Sequence, residues 1–318
     1  MRVSDRRFAI GDNWPLLVFA ALLVIDIALK GRFTPFDARS LAVNALPLAL
    51  VSLGQFLVAL TRGIDLSLGP IASVAGAIMA ITVTDHPEIG LTLPLLVGLA
   101  AGLINGFFVA RLGVPPIIVT LATMSVWQGV AVLVLPDPGG AVPQAYQAAL
   151  IGGFSEPLRG IAAELLCVLF GTWLLSTRYG LHLRAVGGDE QAARMSGVRI
   201  ANVKFIAYAL AGVLAALGGM YLGVATLSGS PTTGDSYILT SIAAVVIGGV
   251  PLSGGRGTAL GVVSGALILT ITGSLLYFAE ISSFYQSVIN GAILLAVVGS
   301  GGTRDWLRAI AAPRRAVA

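Results

Sequence analysis

The chain has 318 residues, 56% hydrophobic and 11% charged, with a mean hydropathy of +0.91 and a formal net charge of +4. A soluble globular domain carries about 25% charged residues, so these charges cannot cover a water-facing surface and lipid must solvate most of the chain. The single cysteine, Cys167, excludes an internal disulfide and any multi-cysteine metal site, and the basic balance is placed for membrane orientation rather than for nucleic acid.

The chain opens with "MRVSDRRFAIGDNW", which has the character of a signal-peptide n-region. No small-residue cleavage motif closes the apolar run behind it, so the reading is an uncleaved signal anchor. A membrane-spanning helix needs roughly 20 mostly apolar residues. The hydropathy pattern predicts ten spans, near 14–30, 42–60, 66–83, 92–110, 116–136, 160–177, 204–227, 238–250, 257–278 and 284–300. The eighth is short, and is expected to be tilted, broken or re-entrant. The predicted fold class is therefore an all-α polytopic membrane protein, a single transmembrane domain over 1–318.

Between the second and third spans lies "TRGIDLSLG". Arg62 marks the inner end of span two. Gly63, Asp65, Ser67 and Gly69 are read as a structural turn and cap, in which the Asp65 carboxylate accepts the orphan amides of Ser67 or Leu68. Ser67 is a second candidate cap. Further on, Arg111 and Pro115-Pro116 interrupt one long apolar region; proline removes amide donors and restrains the preceding residue, which predicts a hairpin turn.

A cytoplasmic N-terminus leaves only Lys30, Arg32, Arg39 and Arg159 of the 19 basic residues on the outer side. The acids show no matching bias, which is the pattern of the positive-inside rule. Both termini and the 178–203 loop are then cytoplasmic. An internal echo pairs "GIDLSLG" (63–69) with "GVPLSGG" (249–255), and "INGFFVA" (104–110) with "INGAILLA" (289–296), at nearly the same offset. This is compatible with duplicated halves.

The most polar stretch is "STRYGLHLRAVGGDEQAARMSGVRIANVK" (176–204). Within it 189–197 reads as a short helix. Asp189 caps it, Glu190 sits at the positive end of its dipole with Arg194 four residues on, and Gly197 stops it. Gly187 and Gly188 are read as a flexible joint. Ala192 and Ala193 are small enough for a partner to approach closely. So short a helix is unstable alone and must lie against something. The residues leave open whether that is the chain's own cytoplasmic end or a soluble partner.

No catalytic or cofactor-binding constellation emerges. His86 and His182 fall on opposite sides of the predicted membrane, and "GGVPLSGGRGTALG" lacks the lysine of a nucleotide-binding loop. Uphill transport would need ATP hydrolysed by another polypeptide, or coupling to an ion. Asp26 and Glu164 lie near outer span ends rather than at mid-membrane, where ion-coupling acids are usual.

"RGIDLSLGPIASVAGA", "GLINGFFVARLGVPPIIVTLATMSVWQGVA", "YGLHLRAVGGDEQAARMSGVRIANVK" and "SIAAVVIGGVPLSGGRGTALG", in this order, resemble the permease subunit of a bacterial ABC importer of the ribose/xylose/galactose type, over about 40–300. Branched-chain amino acid permeases share the general fold. The resemblance implies an inner-membrane protein working as a homodimer or with a sister permease. Two cytoplasmic ATPase subunits would lie below it, and a periplasmic sugar-binding protein would deliver a monosaccharide from above. It implies that 189–197, with Asp189, Glu190, Ala192, Ala193, Arg194 and Gly197, is the coupling helix seated in a groove of the ATPase. Pro70 departs from the small polar or β-branched residue more usual there. Candidates for the translocation path are the polar groups within spans, Asn44, Gln55, Asn105, Gln128 and Asn290, with Trp127 and Tyr237 as ring-stacking platforms. Asn and Gln also bond across packed helices, so a structural role competes at each. Other solutes on the same fold (a branched-chain amino acid, a nucleoside, a sugar-derived signal), an ion-coupled carrier and a purely structural membrane subunit are the alternatives.

Overall fold

A computed structural model describes residues 14–153 and 156–282, together with 285, 288, 289, 291, 292 and 295. These residues are helical apart from turns and one isolated bridge, Gly139 to Gly229. The helices are α1 (Trp14–Lys30), α2 (Pro35–Leu60), α3 (Leu68–Thr82), α4 (Pro87–Gly106, continued by a π turn Phe107–Arg111), α5 (Pro116–Val134), α6 (Gln144–Leu150), α7 (Leu158–Ser176), α8 (Arg178–Gly188), α9 (Glu190–Met195), α10 (Ile200–Thr226), α11 (Tyr237–Ile247, preceded by a 3-10 turn Thr233–Ser236) and α12 (Ala259–Phe278).

Six of these, α2, α4 with its π turn, α5, α7, α10 and α12, are long and apolar enough to cross a membrane. The chain is thus a polytopic helical membrane protein. The predicted tenth span, 284–300, falls largely outside the described residues. α2 starts at Pro35 rather than near 42. Thr34 and Asp37 form a reciprocal capping box ahead of a proline in the first turn, and this holds the extra turns together.

α10 is the hub, packed on α2, α3 and α4. The contact is close because small residues line it. A Cβ at Gly102 would collide with the Tyr208 carbonyl, and one at Gly219 with the Ala72 carbonyl. Without a hydrophobic drive inside lipid, such close packing supplies the dispersion energy that holds the helices together. α1 lies outside this core against α12, where the Asp26–Lys30 pair (2.8 Å) also reaches Asp37 (3.4 Å) and stands over the Phe278 ring.

α3 and α11 are too short to span alone: at 1.5 Å per residue, α11 covers about 16 Å against roughly 30 Å of hydrocarbon. Each is flanked on its N-terminal side by chain outside the α-helices. The stretch before α11 runs along α3: Gly229 exchanges backbone bonds with Gly139, and the Gly234 amide donates to Ser73 Oγ (2.8 Å). The 61–67 turn folds back along α2 as far as Gln55. Irregular backbone inside a membrane is tolerated where it is buried in protein or lines a cavity; Gly63, Asp65 and Ser67 of the first stretch and Gly229, Pro231 and Gly234 of the second are buried.

Long-range contacts sort the loops into two ends. Arg62 reaches Gly187 and Gly188, Gly255 N donates to Leu60 O, Arg184 reaches Gly257 O, and Arg111 bonds Asn202. At the other end, Thr84 bonds Ala141 O, Arg39 bonds Gly152 O, and Gln147 bonds Ala225 O. Loops that the orientation argument places on one side therefore meet one another. Leu60 and Arg62, just before the echoed 63–69 segment, meet Gly254 and Gly255 of its counterpart 249–255 at the first end.

Candidate functional site

The polar segment after α7 is two helices. Thr177 caps α8 by accepting from the Gly180 amide (3.3 Å). Tyr179 fixes α8 to α10 through a bond to Val203 O (3.0 Å), and burial holds its phenol above the ordinary range. At Asp189 the backbone turns extended, and its carboxylate accepts the Ala192 amide (3.0 Å), starting α9. At the far end Gly197 takes φ +82°, with Gly197 N bonded to Arg194 O and Val198 N to Ala193 O. That pair is a Schellman closure, which needs a left-handed residue at this position.

Three expectations for this segment are corrected. Gly187 is not a flexible joint: it is buried, and a Cβ there would strike the Leu60 carbonyl. Ala193 faces inward, 4% exposed, in the chain's own core with Val198 packed beside it. It cannot take a partner's surface. Glu190 pairs with Lys204 on α10 (3.1 Å) rather than with Arg194. Gln191, Ala192, Arg194, Ser196 and Gly197 remain exposed, as does Met195 at 83%. An exposed methionine at the tip of a polar loop is an adaptable apolar contact, and the composition of the segment hid it.

Arg62 does more than mark a span end. It adopts φ +64°, and its guanidinium donates to Gly187 O through Nε (2.7 Å) and to Gly188 O through Nη2 (2.6 Å). These are the last carbonyls of α8, where a cation also meets the negative end of the helix dipole. The clasp ties the 61–67 turn to the α8–α9 unit.

Three residues beyond, Asp65 Oδ1 accepts from Ser67 N (2.9 Å) and Ser67 Oγ (2.6 Å). The Ser67 hydroxyl is thus a donor to Asp65 and makes no cap of its own to α3. Asn105 Nδ2 donates to Asp65 Oδ2 (3.2 Å) and Ser67 Oγ (2.8 Å), and Thr123 donates to Asn105 Oδ1 (2.8 Å). The Gln55 amide, oriented to suit its neighbours, donates to Asp65 O (2.9 Å) and accepts from Asp65 N (3.3 Å). Gln55, Asp65, Ser67 and Asn105 are all at most 1% exposed. Gly63 lies under the Tyr208 hydroxyl. Gly69 belongs to the first turn of α3 rather than to a loop, and is required there because a Cβ would collide with Gly234 O.

The path candidates therefore separate. Gln55 and Asn105 are buried and engaged with each other's neighbours, holding a turn. Gln128 is half-buried, bonding Asp235 of the 3-10 turn (3.3 Å), beside Trp127 and Tyr237, which pack partly buried on one cluster. Asn44 is exposed and bonds back to Ser40 O (2.8 Å). Asn290 lies outside the described residues. No group of three or more histidine, cysteine or acidic residues that could hold a metal occurs among the described residues.

Comparison with known proteins extends this picture. The chain is 34% identical over 287 residues to the ribose import permease protein of Bacillus subtilis, covering 88% of this chain and 89% of that protein. It is 34% identical over 314 residues to the ribose import permease protein of Escherichia coli K12, covering 93% and 96%. It is also 34% identical over 307 residues to the L-arabinose transport system permease protein of the same organism, covering 91% and 90%. No solved structure matches. Residues 38–298 match the family described as the permease component of the branched-chain amino acid transport system, and the chain belongs to that family of transport permeases.

Proposed function

We propose that the chain is the membrane-spanning permease subunit of an ABC importer for a monosaccharide, in the bacterial inner membrane. The observation that carries this reading is the similarity, over nearly the whole chain, to permeases named for ribose and L-arabinose. The reading takes ten spans with both termini cytoplasmic, a second permease copy or sister chain, a periplasmic sugar-binding protein and separate ATPase subunits. ATP hydrolysis is assigned to those subunits.

α9 is the element that meets the ATPase. Its face formed by Gln191, Ala192, Arg194 and Met195 is exposed, while Ala193 and the Glu190–Lys204 pair fasten it to the body of the chain. A motion of the ATPase would then pass to the membrane helices through α8, the Arg62 clasp and the 61–67 turn. The half-buried set Gln128, Asp235, Trp127 and Tyr237 combines hydrogen-bonding groups with ring faces, the chemistry that a sugar requires.

The test is copurification of the permease with its ATPase in mild detergent, followed by reconstitution into vesicles with ribose and arabinose supplied on their binding proteins. ATP-dependent uptake of a sugar is expected. Uptake by the chain alone driven by an ion gradient would refute the reading. The family description favours one second reading, a branched-chain amino acid as the solute, and leucine delivered on its binding protein distinguishes it in the same vesicles.

A further inference from the structure

At the end of the molecule carrying α9, a cleft of about 580 Å³ opens between the π turn of α4, the 112–116 hairpin, α9 and the start of α10. Arg62, Arg111, Arg194 and Lys204 line it, and Glu190 is its one acid. Lys204 already neutralises Glu190. The other three cations have no acidic partner among the described residues. Arg62 donates to carbonyls, and Arg111 donates only to the Asn202 amide oxygen (2.8 Å). The Arg194 guanidinium makes no hydrogen bond or ion pair among the described residues.

Two further features add to this charge. α10 begins at the cleft with Ile200, and among the described residues no side chain caps its first amides, so the positive end of a 27-residue helix faces in. Tyr208, 0% exposed, also lines the cleft, and its hydroxyl has no hydrogen-bond partner among the described residues. A buried hydroxyl without a partner is costly, and a ligand in the cleft can accept from it. Beside the cleft, Phe107, Phe108, Leu112 and Ile117 expose apolar side chains.

The geometry points to a binding site for a phosphate group: the cleft takes the phosphate of an anionic lipid headgroup, with the acyl chains lying along the neighbouring apolar flank. Basic pockets between membrane helices on the cytoplasmic side recognise such headgroups. Guanidinium groups suit phosphate because they donate in a fixed fork. This inference requires that the chain sits in a membrane with its α9 end cytoplasmic, and it stands apart from the identity of the transported solute.

The experiment uses the full-length permease purified without ATPase. Native mass spectrometry and thermal unfolding are recorded with phosphatidylglycerol, with phosphatidylcholine and with inorganic phosphate. Phosphatidylglycerol is expected to be retained and to raise the unfolding temperature, and phosphatidylcholine to do neither. Tyr208→Phe should weaken phosphatidylglycerol binding roughly tenfold, as befits one lost bond to a charged group. Its unfolding temperature without lipid should be unchanged or higher, since the unpartnered hydroxyl is gone. Arg194→Gln should weaken binding similarly, and Arg178→Gln, at the same end but outside the cleft, should not. Stabilisation by inorganic phosphate with the same dependence on Tyr208 and Arg194, and none by lipid, would assign the site to a soluble phosphate. Equal binding of both lipids, or binding indifferent to Tyr208 and Arg194, would overturn the proposal.

Discussion

Replacing Arg62 isolates the link between the membrane turn and α8. Arg62→Ala removes two bonds of 2.7 and 2.6 Å to the last carbonyls of α8 and keeps a side chain at φ +64°. A hydrogen bond from a charged donor contributes about 1.5–3 kcal/mol. One of these two lies at the surface, so the pair together is worth about 2–3 kcal/mol. Arg62→Gly loses the same bonds but relieves the left-handed backbone, which costs a non-glycine residue about 1 kcal/mol. Arg62→Lys keeps the charge but not the fork, and loses about 1 kcal/mol. The expected order of stability is therefore wild type, then Lys or Gly, then Ala. Hydrogen exchange of the amides in 185–192 reads it directly. A loss of 2 kcal/mol speeds exchange through local opening roughly thirtyfold. Equal exchange in Arg62→Ala and Arg62→Gly would refute the backbone-strain component. Exchange unchanged in all three variants would refute the clasp. In reconstituted vesicles with ATPase, the proposed coupling through α8 predicts that Arg62→Ala retains ATP hydrolysis while uptake falls, since the variant breaks the link to the membrane turn and leaves the exposed face of α9 intact.

Ala192→Trp should leave the unfolding temperature unchanged and abolish ATPase copurification, whereas Ala193→Trp should cost about 1–3 kcal/mol by overpacking the chain's own core; intact copurification of Ala192→Trp would remove α9 from the docking role. Asn105→Ala strands Asp65, Ser67 and Thr123 without their shared partner, and should cost about 1–3 kcal/mol, read as lost monodisperse protein in detergent. Glu164, 7% exposed on α7, has neither oxygen hydrogen-bonded among the described residues. Glu164→Leu should therefore raise the unfolding temperature, since an apolar side chain replaces an unpartnered buried carboxyl; a lower value would mean that the carboxyl has a partner. With Cys167 replaced, single cysteines at Ala145 and Gln191 should label from opposite faces of the membrane, and labelling from one face would break the predicted orientation.

What the sequence revealed was what local chemistry encodes. Apolar runs located most of the long helices, Pro115-Pro116 the hairpin, and Asp189 and Gly197 the two ends of α9, because a cap and a left-handed stop act within four residues of themselves. What stayed hidden depends on partners far along the chain. Arg62 meets Gly187 more than a hundred residues away, and nothing near either residue announces the other. Asn105 and Gln55 have the same polar character whether they line a path or brace a turn. Ala193 and Ala192 are identical in type, and only the rotation of a six-residue helix puts one inside and one outside. α8 was missed for a different reason: glycines at 180, 187 and 188 lower its helix propensity, and packing on α2 and α10 overrides them. The capping box at Thr34 and Asp37 is local as well, its two residues three apart at the start of α2.

The double closure of α9, by Asp189 at one end and Gly197 at the other, bears on how tightly a partner can hold it. The exposed face of a six-residue helix is far smaller than the roughly 800 Å² that each side contributes to an ordinary stable interface. A single contact of this size dissociates quickly. Because the helix is already folded and anchored, docking does not have to order it, and that entropy stays available for affinity. Two such helices displayed by a permease pair to two linked ATPase subunits would turn the second contact into an intramolecular event, at an effective concentration in the millimolar range. On the proposed docking, each grip would loosen and reform during a working cycle while the assembly as a whole stays together.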